Sequence, residues 1–440
     1  MARITSSLGF VFAALLIACG PSATGSGDGD GDGDGDGDGL AVCDPGAVES
    51  CYDASPASNG VGPCHGGTRT CNDDGLSWSP CAGEVIPVTE LCANGVDEDC
   101  NGTVDDVFDA DGDGWNSCNG DCCELASQCG EPARVNPAAL EAPTADEPDA
   151  IPVDDDCDGN VDEAPPASCD TALALTDSDP IHGGWALGLC TVAEAANQSG
   201  IVSAKWVRGS GAVAPPSAQF GFFDGFGPNV MVREGASMLA LSSGKARRPA
   251  DTGNCGSYSC TGYGAGTPPP GFPQDSPSCA GGSNINDDIA LELQLRAPSN
   301  AVGYSVDFAF YSFEYPEFVC TTWNDQFIIQ VDPAPADAIN GNIAFDSNGN
   351  PVSVNIAYFD VCDGCPQGTA ALAGTGFDTW DDAGATTWLR TTAPVEPGQL
   401  FTIRFLIWDT GDTAWDSTVL LDNFQWILDG SPGVSTTPIP

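Results

Sequence analysis

The chain has 440 residues, enough for two or three domains, and its charge is strongly unbalanced. Its 63 acidic residues outnumber only 12 lysines and arginines, which gives a formal net charge of −51. This charge excludes the electrostatic attraction that binds proteins to nucleic acids or anionic membranes. Before residue 167 the only basic residues are Arg3, Arg69 and Arg134. The first part of the chain is therefore suited to binding cations.

The first residues have the pattern of an export signal. A short apolar run follows Arg3 and ends in Leu16-Ile17-Ala18-Cys19, too short to span a membrane. We predict a lipoprotein signal peptide over residues 1–18 and lipid on Cys19; the alternative is an ordinary cleaved signal with a chance cysteine. The predicted location is the outer membrane or cell surface, with the lipid as the only membrane attachment.

A linker and a small cysteine-rich module follow. Residues 19–39 hold the predicted lipid anchor and six consecutive Gly-Asp pairs, which indicate a flexible, self-repelling spacer. Residues 40–89 contain five cysteines and too few apolar residues for a core without disulfides. Since five cysteines cannot all pair among themselves, at least one must bond outside the module. Cys92 and Cys100 are the candidates.

The cysteines other than Cys19 form an even set, which predicts a disulfide framework in an oxidising compartment. The adjacent Cys122 and Cys123 are expected to bond different partners. Cys362 and Cys365 fit a structural disulfide better than a redox pair or half of a zinc site, because no second pair lies near them.

Residues 90–163 contain three acidic loops with one shared pattern. Oxygen-bearing side chains occupy positions 1, 3 and 5, glycine permits a sharp turn at position 6, and position 7 offers its carbonyl, as in loops that wrap a hard cation. The predicted ligands are Asp97, Asp99, Asn101 and Thr103 in loop A, Asp109, Asp111, Asp113 and Trp115 in loop B, and Asp154, Asp156, Asp158 and Asn160 in loop C.

None of these loops has the glutamate at position 12 that completes a helix–loop–helix calcium site. Asp105, Asp121 and Asp162 are predicted to complete loops A, B and C instead. Neighbouring carboxylates repel one another unless a cation neutralises them, so we predict bound Ca²⁺. The alternative is a solvated acidic turn without an ion. Copper and zinc favour imidazole or thiolate, and the only histidines are His65 and His182.

Beyond a proline-rich linker at residues 164–168, the chain becomes β-rich over residues 169–430, with a tail at 431–440. Apolar residues alternate over 302–310, 352–358 and 401–407, and 327–331 and 418–426 are further strand candidates. These patterns, separated by turn residues, indicate an antiparallel β-sandwich. The predicted fold class is therefore mainly β, with a disulfide-rich calcium-loop region of little regular structure before the sandwich. Residues 244–282 are expected to form a disulfide-fastened loop or a binding loop.

The sandwich contains no convincing catalytic constellation, and we expect the protein not to be an enzyme. His182 has no accompanying Gly-x-Ser-x-Gly elbow, so a turn histidine is favoured over a serine triad. Tryptophans at 380, 388, 408 and 415 form either a sugar-stacking face or core packing.

A second possible cation site lies near the end of the sandwich. It consists of Asp409, Asp412, Asp416 and Asp422. The alternative is that these aspartates cap ordinary turns.

Residues 90–102 and 153–163 resemble the metal-binding motif of the MopE family, common on surface proteins of myxobacteria and related bacteria. Residues 109–115, 120–122 and 135–138, with Glu141, match further parts of that motif. Cys123 stands where the family usually has aspartate, and residues 142–152 replace its short link. The resemblance covers about residues 40–163 and implies metal binding. The family name refers to copper, but calcium suits these ligands better.

The last part of the chain resembles the choice-of-anchor L domain of bacterial exported proteins. The resemblance covers most of residues 169–430 and is carried by 306–312, 316–318, 324–327, 350–354 and 416–424. It implies a β-sandwich on a surface protein and no known reaction.

The predicted protein is an exported, lipid-anchored surface protein. Its calcium-binding, disulfide-stapled stalk presents a β-sandwich that binds or adheres to an unidentified surface ligand, a glycan or a protein. Two alternatives remain open: a surface protein that scavenges copper or zinc, and a carbohydrate-active β-sandwich enzyme or lectin.

Overall fold

A computed structural model describes residues 41–107, 109–142, 152–163, 168–260, 262–276, 279, 281–379 and 383–440. The predicted signal peptide, the lipidation site Cys19, the Gly-Asp linker and Trp380 lie outside these residues. So do residues 143–151 and most of the proline-rich linker. The described chain divides into two compact units. The first contains residues 41–90 and 95–104, and the second contains 91–94 and the described residues from 105 to 440.

The first unit has one antiparallel pair of strands, β1 (Val48–Cys51) and β2 (Gly67–Thr70). Its disulfides are Cys43–Cys71, Cys51–Cys81 and Cys64–Cys100. Its most buried apolar residues are cysteines, so disulfides do here what a hydrophobic core does in larger domains. The bond from Cys64 to Cys100 confirms that one cysteine of the 40–89 module pairs outside it.

The second unit contains most of the regular structure. Its helices are α1 (Ala126–Cys129) and α2 (Pro180–Trp185), with single 3₁₀ turns at Pro132–Arg134, Ala370–Leu372 and Phe377–Thr379. Its strands are β3 (Gly200–Val207), β4 (Phe220–Phe223), β5 (Met238–Ser242), β6 (Ile285–Arg296), β7 (Gly303–Ser312), β8 (Gln326–Asp332), β9 (Val352–Ser353), β10 (Phe359–Val361), β11 (Gly384–Thr386), β12 (Leu389–Pro394), β13 (Leu400–Thr410), β14 (Ser417–Ile427) and β15 (Ser435–Pro438). No helix of the described residues is long and apolar enough to cross a membrane.

The strands of the second unit form two antiparallel sheets. Sheet I has the order β10-β11-β7-β14-β5-β4, and β12 joins it by pairing with β7 and β15. Sheet II has the order β3-β6-β13-β8-β9. Phe308 and Leu421 of sheet I share one buried cluster with Ile403 and Phe405 of sheet II, so the sheets pack face to face. The predicted antiparallel sandwich is therefore confirmed.

Alternating apolar residues located β7 and β13 correctly, and the further candidates at 327–331 and 418–426 are β8 and β14, but the strand predicted over 352–358 is wrong beyond Ser353. The amide of Ile356 donates to the carbonyl of Ser353 at 3.0 Å, so the chain turns there. Val354 and Ile356 are still buried in the core. The alternation at 354–358 reflects burial in a turn rather than a strand.

The long loop before β6 is fastened by disulfides, as predicted. Cys255 bonds Cys260, and Cys279 bonds Cys320. Phe272 of this loop packs edge-on against Trp408, with ring centroids 6.0 Å apart. Both belong to a small apolar cluster with Leu406 and Ile328, on the side of sheet II away from the main core. The loop therefore covers the outer face of sheet II.

Candidate metal-binding loops

The three acidic loops fold alike because the first aspartate of each gathers backbone amides. Asp97 accepts hydrogen bonds from the amides of Asn101 and Gly102, both at 3.1 Å. Asp154 likewise accepts from the amides of Asp158 and Gly159, at 3.1 and 3.0 Å. The carboxylate thus holds the loop curled around it. In all three loops the position-6 glycine has a positive φ of 91° to 103°, a conformation that favours glycine.

Loop A receives a further carboxylate from outside the loop. Glu90 is 8% exposed, and its Oε1 accepts the amide of Asp99 at 2.8 Å. Carboxylate oxygens of Glu90, Asp97 and Asp99 lie within 4.8 Å of one another. The other oxygen of Glu90, Oε2, is buried without a hydrogen-bond donor among the described residues. The disulfide from Cys100 to Cys64 fixes this loop to the cysteine-rich module.

Loop B has the densest group of carboxylates. Oxygens of Asp109, Asp111 and Asp113 lie within 4.8 Å of one another, and so do oxygens of Asp111, Asp121 and Glu124. Asp121, predicted to complete this loop, therefore does lie beside it. One oxygen each of Asp111, Asp121 and Glu124 is buried with no donor in the described parts of the chain.

The electrostatics of loop B follow from this crowding. The pKa of Asp121 is raised to about 6, mainly by burial and also by the neighbouring charges of Asp113, Glu124 and Asp111, against the lowering effect of the hydrogen bond from the amide of Cys123. Burial likewise raises the pKa of Asp111 and of Asp113. Without a cation, Asp121 therefore takes up a proton at a higher pH than an ordinary aspartate does.

Loop C is completed by a glutamate that precedes it. Glu141 Oε1 accepts the amides of Asp155 and Asp156 at 2.9 and 3.2 Å, and Oε2 accepts the amide of Asp162 at 2.7 Å. Oxygens of Glu141, Asp154 and Asp156 lie within 4.8 Å of one another. The disulfide from Cys157 to Cys122 ties loop C to the chain that follows loop B.

The remaining predicted ligands have these positions. Thr103, Trp115 and Asn160, at position 7, donate their amides to the side chains at position 5, at 2.9, 2.7 and 2.8 Å. Asp105 belongs to the second unit, unlike the rest of loop A, and accepts the amide of Asn94 at 2.9 Å. Asp162 is held through its amide by Glu141.

Three glutamates were missed as candidate ligands by the loop pattern: Glu90, Glu124 and Glu141. A pattern of alternating oxygens cannot find them because they lie outside the loops, before loops A and C but after loop B. The available signal was the resemblance to the MopE motif, which includes the positions of Glu90 and Glu141 but not that of Glu124.

Comparison with known families concerns the sandwich. The chain matches the choice-of-anchor L domain over residues 191–425, more than half of its length. The chain belongs to the choice-of-anchor L family. No curated protein matches it. Membership in this family indicates a surface-associated protein, and the ten disulfides among the described residues fit export.

A short segment joins loops B and C to the choice-of-anchor L domain. Asn136 is fully buried; its side-chain amide donates to Asp113 Oδ2 at 2.6 Å, and its backbone amide donates to the carbonyl of Asp155 at 2.9 Å. Its side-chain oxygen accepts from the hydroxyl of Ser299, at 2.7 Å, in the turn between β6 and β7. Arg134 donates to the carbonyls of the same turn and of the segment after β14. The two loops are thus bonded to the domain's edge.

The second predicted cation site is only partly assembled. Asp409 and Asp416 are both buried and close enough for their charges to interact, while Asp412 is exposed and accepts the amide of Ala414 at 3.0 Å. Asp422 lies far along β14, about 17 Å from its start at 3.3 Å per residue. It accepts the amides of Arg233 and Asn423 instead, at 2.7 and 2.6 Å.

The histidines and tryptophans occupy separate places. His65 is exposed, and His182 lies in α2 with its Nδ1 2.8 Å from Asp177 Oδ2. Trp408 is fully buried, so it cannot belong to an exposed sugar-stacking face. Trp388 lies under Arg233, with the guanidinium carbon 5.8 Å from the ring centroid.

Proposed function

We propose that this is a surface protein in which bound Ca²⁺ orders the acidic loop region, so that the region acts as a stiff stalk for a choice-of-anchor L domain that binds a surface ligand. The lipid predicted on Cys19 would attach the protein to the membrane. The role is structural or adhesive rather than catalytic.

Buried carboxylate oxygens without donors carry this proposal. Glu90, Asp111, Asp121 and Glu124 each leave one such oxygen beside loop A or loop B among the described residues. An unpaired buried carboxylate oxygen is costly, and a cation is the partner that satisfies several at once. The ligand set contains only oxygen, which suits Ca²⁺, with its six to eight oxygen ligands, better than copper or zinc.

The hydrogen bonds from backbone amides to carboxylates within each loop also support calcium as the ion. They orient the carboxylates before an ion arrives and leave the second lone pairs of the oxygens available to it. Extracellular calcium modules bind at roughly 10⁻⁴ to 10⁻³ M. Stalk order would therefore follow the external calcium concentration.

The first test is metal analysis of the purified full chain, with limited proteolysis in calcium and in chelator. We expect bound calcium, and faster cleavage within residues 41–163 after chelation. A variant that carries Asp97→Asn, Asp109→Asn and Asp154→Asn should lose the loop calcium and be cleaved rapidly even in calcium.

The matched control changes three exposed aspartates outside the loops, Asp44→Asn, Asp53→Asn and Asp73→Asn, and therefore the net charge by the same amount. It should keep both calcium and protease resistance. Copper or zinc in place of calcium would overturn the proposal in favour of metal scavenging. If chelation left the protease resistance unchanged, the claim that calcium orders the loop region would be contradicted.

A further inference from the structure

A cluster of three carboxyls is buried between the two sheets, away from the acidic loops. Glu314 follows β7 of sheet I, Asp325 precedes β8 of sheet II, and Asp409 lies near the end of β13. Their exposed fractions are 1%, 0% and 0%. We propose that this cluster, Glu314 with Asp325 and Asp409, is a buried calcium site of the choice-of-anchor L domain.

The strand register brings the two aspartates together. Trp408 pairs with Gln326 between β13 and β8, so the next step of the ladder sets Asp409 opposite Asp325. Opposed residues of neighbouring strands have Cβ atoms about 5 Å apart. Ile407, two positions before Asp409, and Phe327, two positions after Asp325, pair with each other and belong to the core between the sheets. Alternation along the strands therefore turns both carboxyls towards sheet I.

Asp325 and Glu314 are fixed by donors from both sheets. Asp325 Oδ1 accepts the amide of Thr410 at 3.0 Å, and Oδ2 accepts the hydroxyl of Ser417, at the start of β14, at 2.7 Å. Glu314 Oε2 accepts the amide of Asp325 at 3.0 Å. These bonds hold the two carboxyls in place from both sides of the sandwich.

Asp409 lacks such donors. Neither of its carboxylate oxygens has a hydrogen-bond partner in the described residues. The hydroxyl of Ser243 lies close to it but donates to the carbonyl of Ser417, at 3.4 Å. A fully buried carboxylate with two empty acceptor oxygens, aimed at a second carboxylate, needs either a cation or a proton.

Among the described residues, the strongest charge interactions of Glu314 and Asp409 are with other carboxylates, while Lys245 acts on the neighbouring Asp416. The charges that act most strongly on Glu314 are those of Asp409 and Asp412, and those on Asp409 come from Asp325 and Asp416. A divalent ion offsets this repulsion and brings together loops from both sheets. Only oxygen atoms are offered, which is the ligand chemistry of Ca²⁺.

The test uses the full chain with loops A, B and C already disabled by Asp97→Asn, Asp109→Asn and Asp154→Asn. After calcium loading and gel filtration, we expect one calcium per chain to remain. Adding Asp409→Asn should remove it, whereas adding Asp412→Asn, an exposed change at the same end of the sandwich, should not. No retained calcium in the starting variant would overturn the proposal, whatever the loops bind in the unaltered chain.

Thermal unfolding at pH 8 separates a calcium ligand from a merely structural carboxyl. In calcium, Asp409→Asn in the unaltered chain should unfold at a lower temperature than the parent protein. In chelator it should unfold at the same temperature or a higher one, because one buried negative charge is gone. Glu314→Gln should likewise lower the unfolding temperature in calcium but not in chelator. Lower stability of both variants in both solutions would overturn the proposal, as would a parent that does not respond to calcium.

Discussion

Asp307 is a buried carboxylate of the sandwich that is held by two arginines and an asparagine. It is fully buried at the middle of β7, and Arg390 donates to both of its oxygens at 2.6 and 2.9 Å. Arg233 and Asn423 donate to Oδ2, at 3.4 and 2.8 Å. The carboxylate in turn raises the pKa of Arg390 by accepting its hydrogen bonds. The contrast with Asp409 shows what a satisfied buried charge looks like in this fold.

Asp307→Ala should lower the free energy of unfolding by about 3–5 kcal/mol, because two arginines would lose their buried partner. Urea unfolding at 25 °C measures the change. Asp224→Ala is the control, since Asp224 is 86% exposed and pairs with Arg248 at 3.4 Å. Its loss should be about 1 kcal/mol or less. Equal losses in the two variants would contradict the buried network.

The raised pKa of Asp121 predicts that the stability of the calcium-free protein depends on pH. Burial and neighbouring carboxylates raise its pKa from 3.8 to about 6. A carboxyl with a raised pKa binds its proton more tightly in the folded state, so stability falls as pH rises from about 4 to about 6 and stays low above that. Thermal unfolding in chelator across this range should show the fall, and Asp121→Asn should reduce it. In calcium, protons compete with the ion, so calcium affinity should weaken below pH 6 instead.

The segment around Asn136 is the element that connects loops and sandwich. Its buried side chain bonds Asp113 on one side and Ser299 on the other. Asn136→Ala leaves these partners unsatisfied, at a cost of about 1–3 kcal/mol. We expect a lower unfolding temperature and a weaker calcium site in loop B, measured by calorimetry. Asn348→Ala, at an exposed position of the same domain, should change neither. An unaltered calcium affinity in Asn136→Ala would show that loop B is organised independently of the sandwich.

Strands in which apolar residues alternate regularly were predictable from the sequence. Contacts that depend on how distant strands pair were not. The alternation of Val306, Phe308 and Phe310 located β7 because one face of a strand must be buried. The position of Asp325 beside Asp409 depends on how β8 pairs with β13, which periodicity does not encode. The glycine at position 6 of loops A to C correctly predicted a sharp turn in each loop. The glutamates that complete those loops come from outside them, and only the folded chain brings them there.

The whole molecule carries a formal net charge of −51 with only 12 basic side chains. Self-repulsion of this size destabilises a compact chain, and salt screens it within about 8–10 Å at physiological ionic strength. Calcium bound at the proposed sites would act at shorter range, since it would neutralise the buried carboxylates that salt reaches least. Sodium chloride should therefore stabilise the fold by screening repulsion between exposed charges, and calcium should stabilise it by neutralising buried carboxylates.

We expect the unfolding temperature in chelator to rise steadily with sodium chloride from 20 to 500 mM, which is a range of roughly 20 to 4 Å in screening length. At a fixed ionic strength, millimolar calcium should raise it further, and the same concentration of magnesium should do so much less, because Mg²⁺ demands a smaller, near-octahedral site. Differential scanning calorimetry of the full chain measures all three series. If magnesium matched calcium at every ionic strength, the stabilisation would come from general screening, and the loops would not discriminate between the two ions.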